Sequence, residues 1–214
     1  GSADQRVSDP ATSALGITVG ALSRTDAVES DRRRVPATPA GTTAVFSRIG
    51  PGYSMQAPFE QAGVKPEFVA PGGNFAIEPI SGKAKWITNE TGLCEPKLRL
   101  PSAGGNIGYS AGTSLAAPQI AHAAGIALDA LARSGAAQSG NAIRAVLGAS
   151  AESPLAVSEG LSALQGSSVG IWSPEEAERL LVGYGICDPV RVANSTSSDT
   201  LLVAEDELSD DHLH

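Results

Sequence analysis

The sequence is poor in aromatic residues, cysteine and positive charge. Only 4% of its 214 residues are aromatic, and its formal net charge is −8. This charge argues against a surface built to neutralise the phosphates of nucleic acids. Two cysteines cannot form a disulfide-dense framework. The hydrophobic share, 42%, is nevertheless large enough for a buried core, which excludes disorder for most of the chain.

Targeting signals and metal-ligand patterns are also scarce. Cys94 and Cys187 have no metal-binding spacing, and so few cysteines favour a reducing compartment such as the cytoplasm, although the compartment itself stays open. No run approaches 18 apolar residues, so we predict no membrane span. The N-terminus lacks the pattern of a signal peptide. Gly1-Ser2 is typical of the residues that removal of an expression tag leaves behind, so we expect the natural N-terminus upstream.

Short apolar runs predict three strands. The first is the β-branched run Ile17–Val19, which ends at Gly20, and the second is Ala44–Ser47. The third lies within residues 64–73 and is stopped by Pro-Gly-Gly. Residues 74–108 then show no clear periodicity, and a segment of this length is usually functional or ordered by small elements of its own.

Helical patterns dominate from Thr113 onwards. Residues 113–135 are rich in Ala and Leu at helical spacing, and the many alanines predict a central helix buried on several faces. We expect a second helix over about residues 137–147. A third begins with Ser173-Pro174, where Glu176 completes a capping box. Residues 194–214 contain a possible final strand, Thr200–Ala204, and an acidic tail, for which a solvated terminus is favoured over a binding site for a basic partner.

Two serines compete as candidate nucleophiles. Ser110 lies in GYSAG, which matches the nucleophile elbow of α/β-hydrolases. An elbow needs a buried strand before its first glycine, and an acid and then a histidine after it. The breaker-rich residues 101–107 do not suit that strand, and His122 and the terminal pair His212 and His214 are the histidines downstream. The esterase hypothesis is therefore disfavoured.

Ser114 lies in GTSLAAP, at the start of the long predicted helix. Gly112 allows a close approach of the backbone to a substrate. The free N–H groups and the positive end of the helix favour an oxyanion developing beside Ser114. Pro118 removes the N–H that would bond to the Ser114 carbonyl. The heptapeptide closely resembles the nucleophile motif of subtilisin-like serine proteases.

Four further segments resemble subtilase blocks in the order that the family has. They are ITVGAL at 17–22, FSRIGP at 46–51, VKPEFVAPGG at 64–73 and GYGICDPVRVA at 183–193. The resemblance implies an α/β fold, here part of a subtilisin-like parallel sheet flanked by helices. In the family the catalytic Asp and His and the oxyanion Asn all precede the first block. We therefore expect residues 3–193 to form the C-terminal half of a catalytic domain whose N-terminal half is absent.

The resemblance also implies the roles of individual residues. Ser114 would be the nucleophile, Gly112 and Thr113 would support the oxyanion site through their backbone, and Ser8 would lie at the base of the P1 pocket. The substrate would be a polypeptide, and the missing N-terminal half would be a partner. No cofactor is required. Structural calcium is common in the family, but no Asp-rich loop indicates a site here.

The three histidines of this chain are poorly placed to act as the catalytic base of Ser114. On a helix, His122 would lie about 12 Å along the axis from Ser114, beyond hydrogen-bond reach, and we expect it to be packed in the helix or satisfied by polar partners. Gln119 occupies the place of a non-catalytic family histidine. The chain alone is therefore expected to be inactive as an endopeptidase. The alternatives are a non-catalytic subtilase-like scaffold or regulatory module and, less favoured, the Ser110 esterase.

Overall fold

A computed structural model describes residues 6–24, 35–51, 63–80, 83–87, 98–101, 103–105, 107–157 and 173–194. The chain divides into two compact units. The first unit comprises Gly1–Ile120 and Glu152–Ile186, and the second comprises Ala121–Ala151 and Cys187–His214. The terminal strand predicted at 200–204 and the acidic tail lie outside the described residues.

The first unit contains most of the strands. In chain order these are β1 (Val19–Leu22), β2 (Val35–Pro36), β3 (Phe68–Pro71), β4 (Ala76–Ile80), β5 (Lys83–Ile87), β6 (Leu98–Pro101) and β7 (Ile107–Ser110). The helices are α1 (Thr113–Ser134), α2 (Gly140–Ser150), α3 (Pro174–Val182) and α4 (Pro189–Ala193), with two short strands, β8 (Ala151–Glu152) and β9 (Ile186–Cys187).

β1 and β3 form a buried parallel pair, in register from Val19 opposite Phe68 to Leu22 opposite Pro71. This pair belongs to the α/β fold that the sequence predicted. The predicted bounds of β1 were wrong, because the strand starts at Val19 and runs through Gly20. Glycine is needed inside the strand, since a Cβ at Gly20 would lie 2.9 Å from the Ser47 Oγ.

The prediction of a strand at 44–47 was also wrong. This segment is a turn, in which the Ser47 N–H donates to the Ala44 carbonyl at 2.8 Å. Its polar groups bond to β1 one by one. The Ala44 N–H donates to the Ala21 carbonyl at 2.9 Å, and the Ser47 Oγ accepts from the Ala21 N–H at 3.0 Å. These single bonds, and not a strand ladder, join the segment to β1.

The segment after β3 contains strands of its own, which is one of the two alternatives that the sequence analysis left open. β2, β4 and β5 form an antiparallel sheet in that spatial order, with Val35 opposite Ile77 and Glu78 opposite Lys85. β6 and β7 form an antiparallel pair that ends just before α1. The long connection therefore delivers the chain to the start of the helix through paired strands.

α1 confirms the predicted long helix, but the prediction of burial on several faces was wrong. Its buried residues are spaced three or four apart and form one stripe: Ala116, Ile120, Ala123, Ala127 and Leu131. On another face Leu128 is 40% exposed. By length and composition alone, α1 could also cross a membrane, a property that core helices of soluble proteins share.

The caps set the bounds of the later helices. α2 begins three residues after the predicted start, because Ser139 is the N-cap and accepts from the Ala142 N–H at 3.0 Å. α3 starts where the sequence predicted. Its capping box joins the Glu176 N–H to the Ser173 Oγ at 3.2 Å and the Ser173 N–H to the Glu176 carboxylate at 2.7 Å. The Ser173 N–H and, to a smaller extent, the Ser173 hydroxyl bond to the Glu176 carboxylate and lower the pKa of that group.

A buried ion pair ties β3 to the residues before β1. The Lys65 Nζ lies 2.7 Å from the Glu67 carboxylate, and the two side chains are 5% and 11% exposed. Lys65 also donates to the Gly16 carbonyl at 2.7 Å, while Glu67 accepts from the Thr18 N–H at 2.6 Å. Both charges therefore have a hydrogen-bond partner besides each other, which a buried ion pair requires for stability.

Candidate active site

Ser114 is exposed and is the second residue of α1. The helix is initiated by Gly112, whose carbonyl accepts from the Leu115 N–H at 3.0 Å. Within the described part of the chain, the N–H groups of Thr113 and Ser114 make no hydrogen bond, as expected for the first turn of a helix. Their positive partial charge lies beside the Ser114 hydroxyl and would stabilise an oxyanion formed there.

The start of α1 is joined to the carboxyl end of the parallel pair. The Gly112 N–H donates to the Gly72 carbonyl at 2.8 Å, and the Gly72 N–H donates to the Leu22 carbonyl at 2.9 Å. Ligand sites of α/β proteins form at the carboxyl ends of parallel strands. Ser114 therefore lies at the end of the sheet where such a site is expected.

Gly72 is the position where this arrangement leaves no room for a side chain. A Cβ there would lie 2.5 Å from the Ala21 Cβ and 3.0 Å from the Gly112 carbonyl oxygen. A Cβ on Gly112 itself would meet only the Ser114 nitrogen, at 3.8 Å. Gly112 thus has open space where a Cβ would lie, whereas Gly72 provides the close contact inside the protein.

The Gln119 side chain makes a second connection between β3 and α1. Its Nε2 donates to the Pro71 carbonyl and to the Leu115 carbonyl, both at 2.7 Å. Sequence analysis noted only that this residue replaces a family histidine. The contact itself joins residues 48 positions apart, so no local pattern indicates it.

Asn74, which follows the Pro-Gly-Gly turn, is fully buried in a polar cluster. Its Nδ2 donates to the Ser23 Oγ at 2.9 Å and to the Thr38 carbonyl at 2.6 Å. Its Oδ1 accepts from the Phe75 N–H at 2.8 Å. Sequence analysis did not select Asn74, and an amide directly after a turn that stops a strand was the one available signal. The cluster fixes the backbone just beyond the carboxyl ends of β1 and β3.

Comparison with known proteins identifies the family to which the chain belongs. The sequence profile of the subtilase family, Peptidase_S8, matches residues 1–180. The chain belongs to the subtilase family. The chain is also 33% identical, over 220 residues, to the uncharacterized protein y4bN of Sinorhizobium fredii (strain NBRC 101917 / NGR234). That alignment covers 98% of this chain and 45% of the relative, so this subtilase chain spans less than half the length of its relative.

Ser110 has a different setting from Ser114. It is the last residue of β7 and lies opposite Leu98 in an antiparallel pair. Ala111 and Gly112 separate it from α1. A nucleophile elbow presents its serine at a tight turn from a buried strand directly into a helix. The surroundings of Ser110 in this subtilase do not have that geometry.

Ser8 is exposed in a turn, where its carbonyl accepts from the Ala11 N–H at 2.9 Å. The neighbouring Val7 N–H donates to the Ile49 carbonyl at 2.9 Å, which fixes the turn at one end. The role of Ser8 in a P1 pocket stays a prediction.

His122 is exposed, so the prediction that it is packed in the helix was wrong. It lies outside the buried stripe of α1.

Metal ligands do not cluster in the described ranges, where no group of three or more His, Cys, Asp or Glu side chains could hold an ion. The cofactor and calcium expectations therefore stay as the sequence left them. The described site offers a hydroxyl and backbone N–H groups, which is the chemistry of acyl transfer supported by an oxyanion site.

Proposed function

We propose that Ser114 is the nucleophile of a subtilisin-type serine endopeptidase. The observation that carries the proposal is the exposed Ser114 on the first turn of α1, at the carboxyl ends of β1 and β3, in a chain of the subtilase family. The Ser114 N–H would be one oxyanion donor, and Gly112 and Thr113 would support it through their backbone. The substrate would be a polypeptide.

The proposed reaction proceeds through an acyl-enzyme. The Ser114 Oγ bonds to the carbonyl carbon of the peptide as its proton passes to a histidine base. The peptide C–N bond then breaks, and that proton leaves with the amine. Water, deprotonated by the same histidine, releases the new carboxyl group and restores the serine.

The proposal takes the histidine, and the aspartate that orients it, from outside this chain. Two observations support this: His122 is eight positions from Ser114 on the same helix, and y4bN is more than twice as long as the segment that it shares with this chain. A serine hydroxyl without a base in reach is a poor nucleophile at neutral pH. We therefore expect the 214-residue chain to be inactive alone.

The test is active-site labelling with a fluorophosphonate probe. It uses the full-length protein, by which we mean this chain together with the N-terminal half that would supply the histidine and the aspartate. Wild type should be labelled and should hydrolyse casein. Ser114→Ala should lose both activities, by a factor on the order of a million in turnover. Ser110→Ala is the matched control, since it removes a hydroxyl four residues away, and it should keep both.

The other outcomes identify the alternatives. Labelling that disappears with Ser110→Ala and persists with Ser114→Ala would replace the protease by an esterase. A folded full-length protein that neither reacts with the probe nor cleaves casein would support the non-catalytic scaffold and contradict the proposal.

A further inference from the structure

The first turn of α1 is held at two points on the same short segment, Pro71–Gly72. On one side of Ser114, the Gly112 N–H donates to the Gly72 carbonyl at 2.8 Å. On the other side, the Gln119 Nε2 bridges the Leu115 and Pro71 carbonyls at 2.7 Å each. Ser114 thus lies between two attachments to the end of β3.

This turn lacks one of its own hydrogen bonds. Pro118 has no N–H, so the Ser114 carbonyl loses the bond that it would accept from the residue four positions on. A first turn that lacks an internal bond is less constrained, and the Gln119 carboxamide supplies two donors beside the gap. The Gln119 side chain is exposed, so this bridge does not depend on core packing.

We propose that Gln119 is a positioning residue for Ser114. Its amide holds the first turn of α1 against the Pro71–Gly72 turn and so fixes the direction of the Ser114 hydroxyl. The proposal rests on the proposed function of Ser114. A misplacement of about 1 Å costs an enzyme on the order of a hundredfold in rate, so a single bridging side chain next to the nucleophile has a measurable effect.

The test uses three Gln119 variants of the full-length protein. Gln119→Met keeps the length of the side chain but has no hydrogen-bond donor. Gln119→Glu, when ionised, can accept hydrogen bonds but cannot donate any. Gln119→His keeps one N–H donor and is the rescue variant. Gln138→Met, at another exposed glutamine, is the matched control for the change of side chain.

Two measurements are made on each variant. Hydrogen exchange of the peptide spanning residues 108–116 should become about tenfold faster in Gln119→Met and Gln119→Glu, as expected for loss of the one side-chain hydrogen bond that joins α1 to Pro71. The maximal rate of fluorophosphonate labelling at Ser114 should fall ten- to a hundredfold, while the probe concentration for half-saturation stays unchanged. Gln119→His, which keeps one of the two donors, should recover part of the wild-type labelling rate, and Gln138→Met should match the wild type.

The two proposals fail in different ways. Wild-type exchange and labelling in Gln119→Met would overturn the role of Gln119 and leave Ser114 as the nucleophile. Absence of labelling in the wild type would overturn the nucleophile. Hydrogen exchange in Gln119→Met would then still show whether the bridge orders the first turn of α1. Exchange as slow as in the wild type would overturn the role of Gln119 as well. A loss of labelling that Gln119→His does not restore would also count against the role of the amide.

Discussion

The carboxyl-end region of the first unit and the helical region of the second unit are stabilised in different ways. In the first, β1, β3 and the start of α1 contact each other through backbone groups, buried polar side chains and a glycine without space for a Cβ. In the second, α2 packs with α4, and serine and aspartate side chains cap the two helices. The site region therefore depends on hydrogen bonds and close contacts between distant residues, whereas the helical region combines the packing of α2 on α4 with caps that neighbouring residues form.

The largest expected difference between the two regions is in the free energy of unfolding that is lost when an ion pair is broken. Glu67→Gln leaves the buried Lys65 ammonium without its counter-charge, and breaking a buried pair costs about 3–5 kcal/mol. Urea unfolding of the full-length protein measures the loss. In the helical region, Asp129→Asn removes the partner of Arg133 from a pair whose side chains are 70% and 59% exposed, and should cost less than about 1 kcal/mol. Equal losses would remove the contrast between the regions.

Two glycine substitutions should change the free energy of unfolding in opposite directions. Gly72→Ala places a Cβ 2.5 Å from the Ala21 Cβ, and overpacking of this kind costs roughly 1–3 kcal/mol. It should also displace Gly112 and reduce labelling of Ser114. Gly148→Ala in α2 meets no atom within 4 Å and should stabilise the protein by roughly 0.5–1 kcal/mol. Thermal unfolding of both variants, with probe labelling of the first, is the measurement; a harmless Gly72→Ala would contradict the close packing.

The N-cap of α2 has a smaller effect. Ser139→Ala removes the acceptor of the Ala142 N–H and should cost about 1 kcal/mol in urea unfolding. Ser139→Asp keeps an acceptor and adds a negative charge at the helix N-terminus, so it should retain wild-type stability. Labelling of Ser114 should not change in either variant. If Ser139→Ala abolished labelling, the helical region would be as important to the site as the strands.

A further effect on the free energy of unfolding depends on pH. Cys187 is a free, buried thiol whose Sγ donates to the Leu147 carbonyl at 3.7 Å, and burial raises its pKa from 9.0 to about 11, against a smaller lowering by the Ser150 side chain. Below pH 9 the thiol is protonated in both the folded and the unfolded chain. Between pH 9 and 11 the unfolded chain loses the proton first, so stability falls as the pH rises. Cys187→Ala should reduce this fall in urea unfolding at pH 8 and pH 10; equal slopes would argue against the burial of the thiol.

Local sequence signals were sufficient for the parts of the fold that local contacts stabilise. The capping box of Ser173 and Glu176 and the long helix from Thr113 were predicted because their determinants lie within a few residues of each other. The bounds of β1 and the turn at 44–47 were not, because Ser47 packs on Gly20 and bonds to Ala21 across the fold. Propensity alone does not contain that contact.

The candidate site divides in the same way. Ser114 was selected from a contiguous motif, and its role as the nucleophile stays a prediction. The bridge from Gln119 to Pro71 and the cluster around Asn74 join residues 48 and 51 positions apart, and side chains that act across such separations leave no periodicity in the sequence. The exposure of His122 was missed because the alanines around it suggested a helix enclosed on several faces.

The long separation between β1 and β3 also determines when Ser114 becomes oriented during folding. The backbone hydrogen bonds that form α1 are local, and helices of its length form within about a microsecond. The Glu67 contact with Thr18 spans 49 positions, and pairings between distant residues form slowly because the intervening loop must first close. We therefore expect the helix that carries Ser114 to exist before the strands on which it is oriented. A newly made chain would then carry a serine without a fixed direction until its last long-range contacts form, which delays the reactive state to the end of folding.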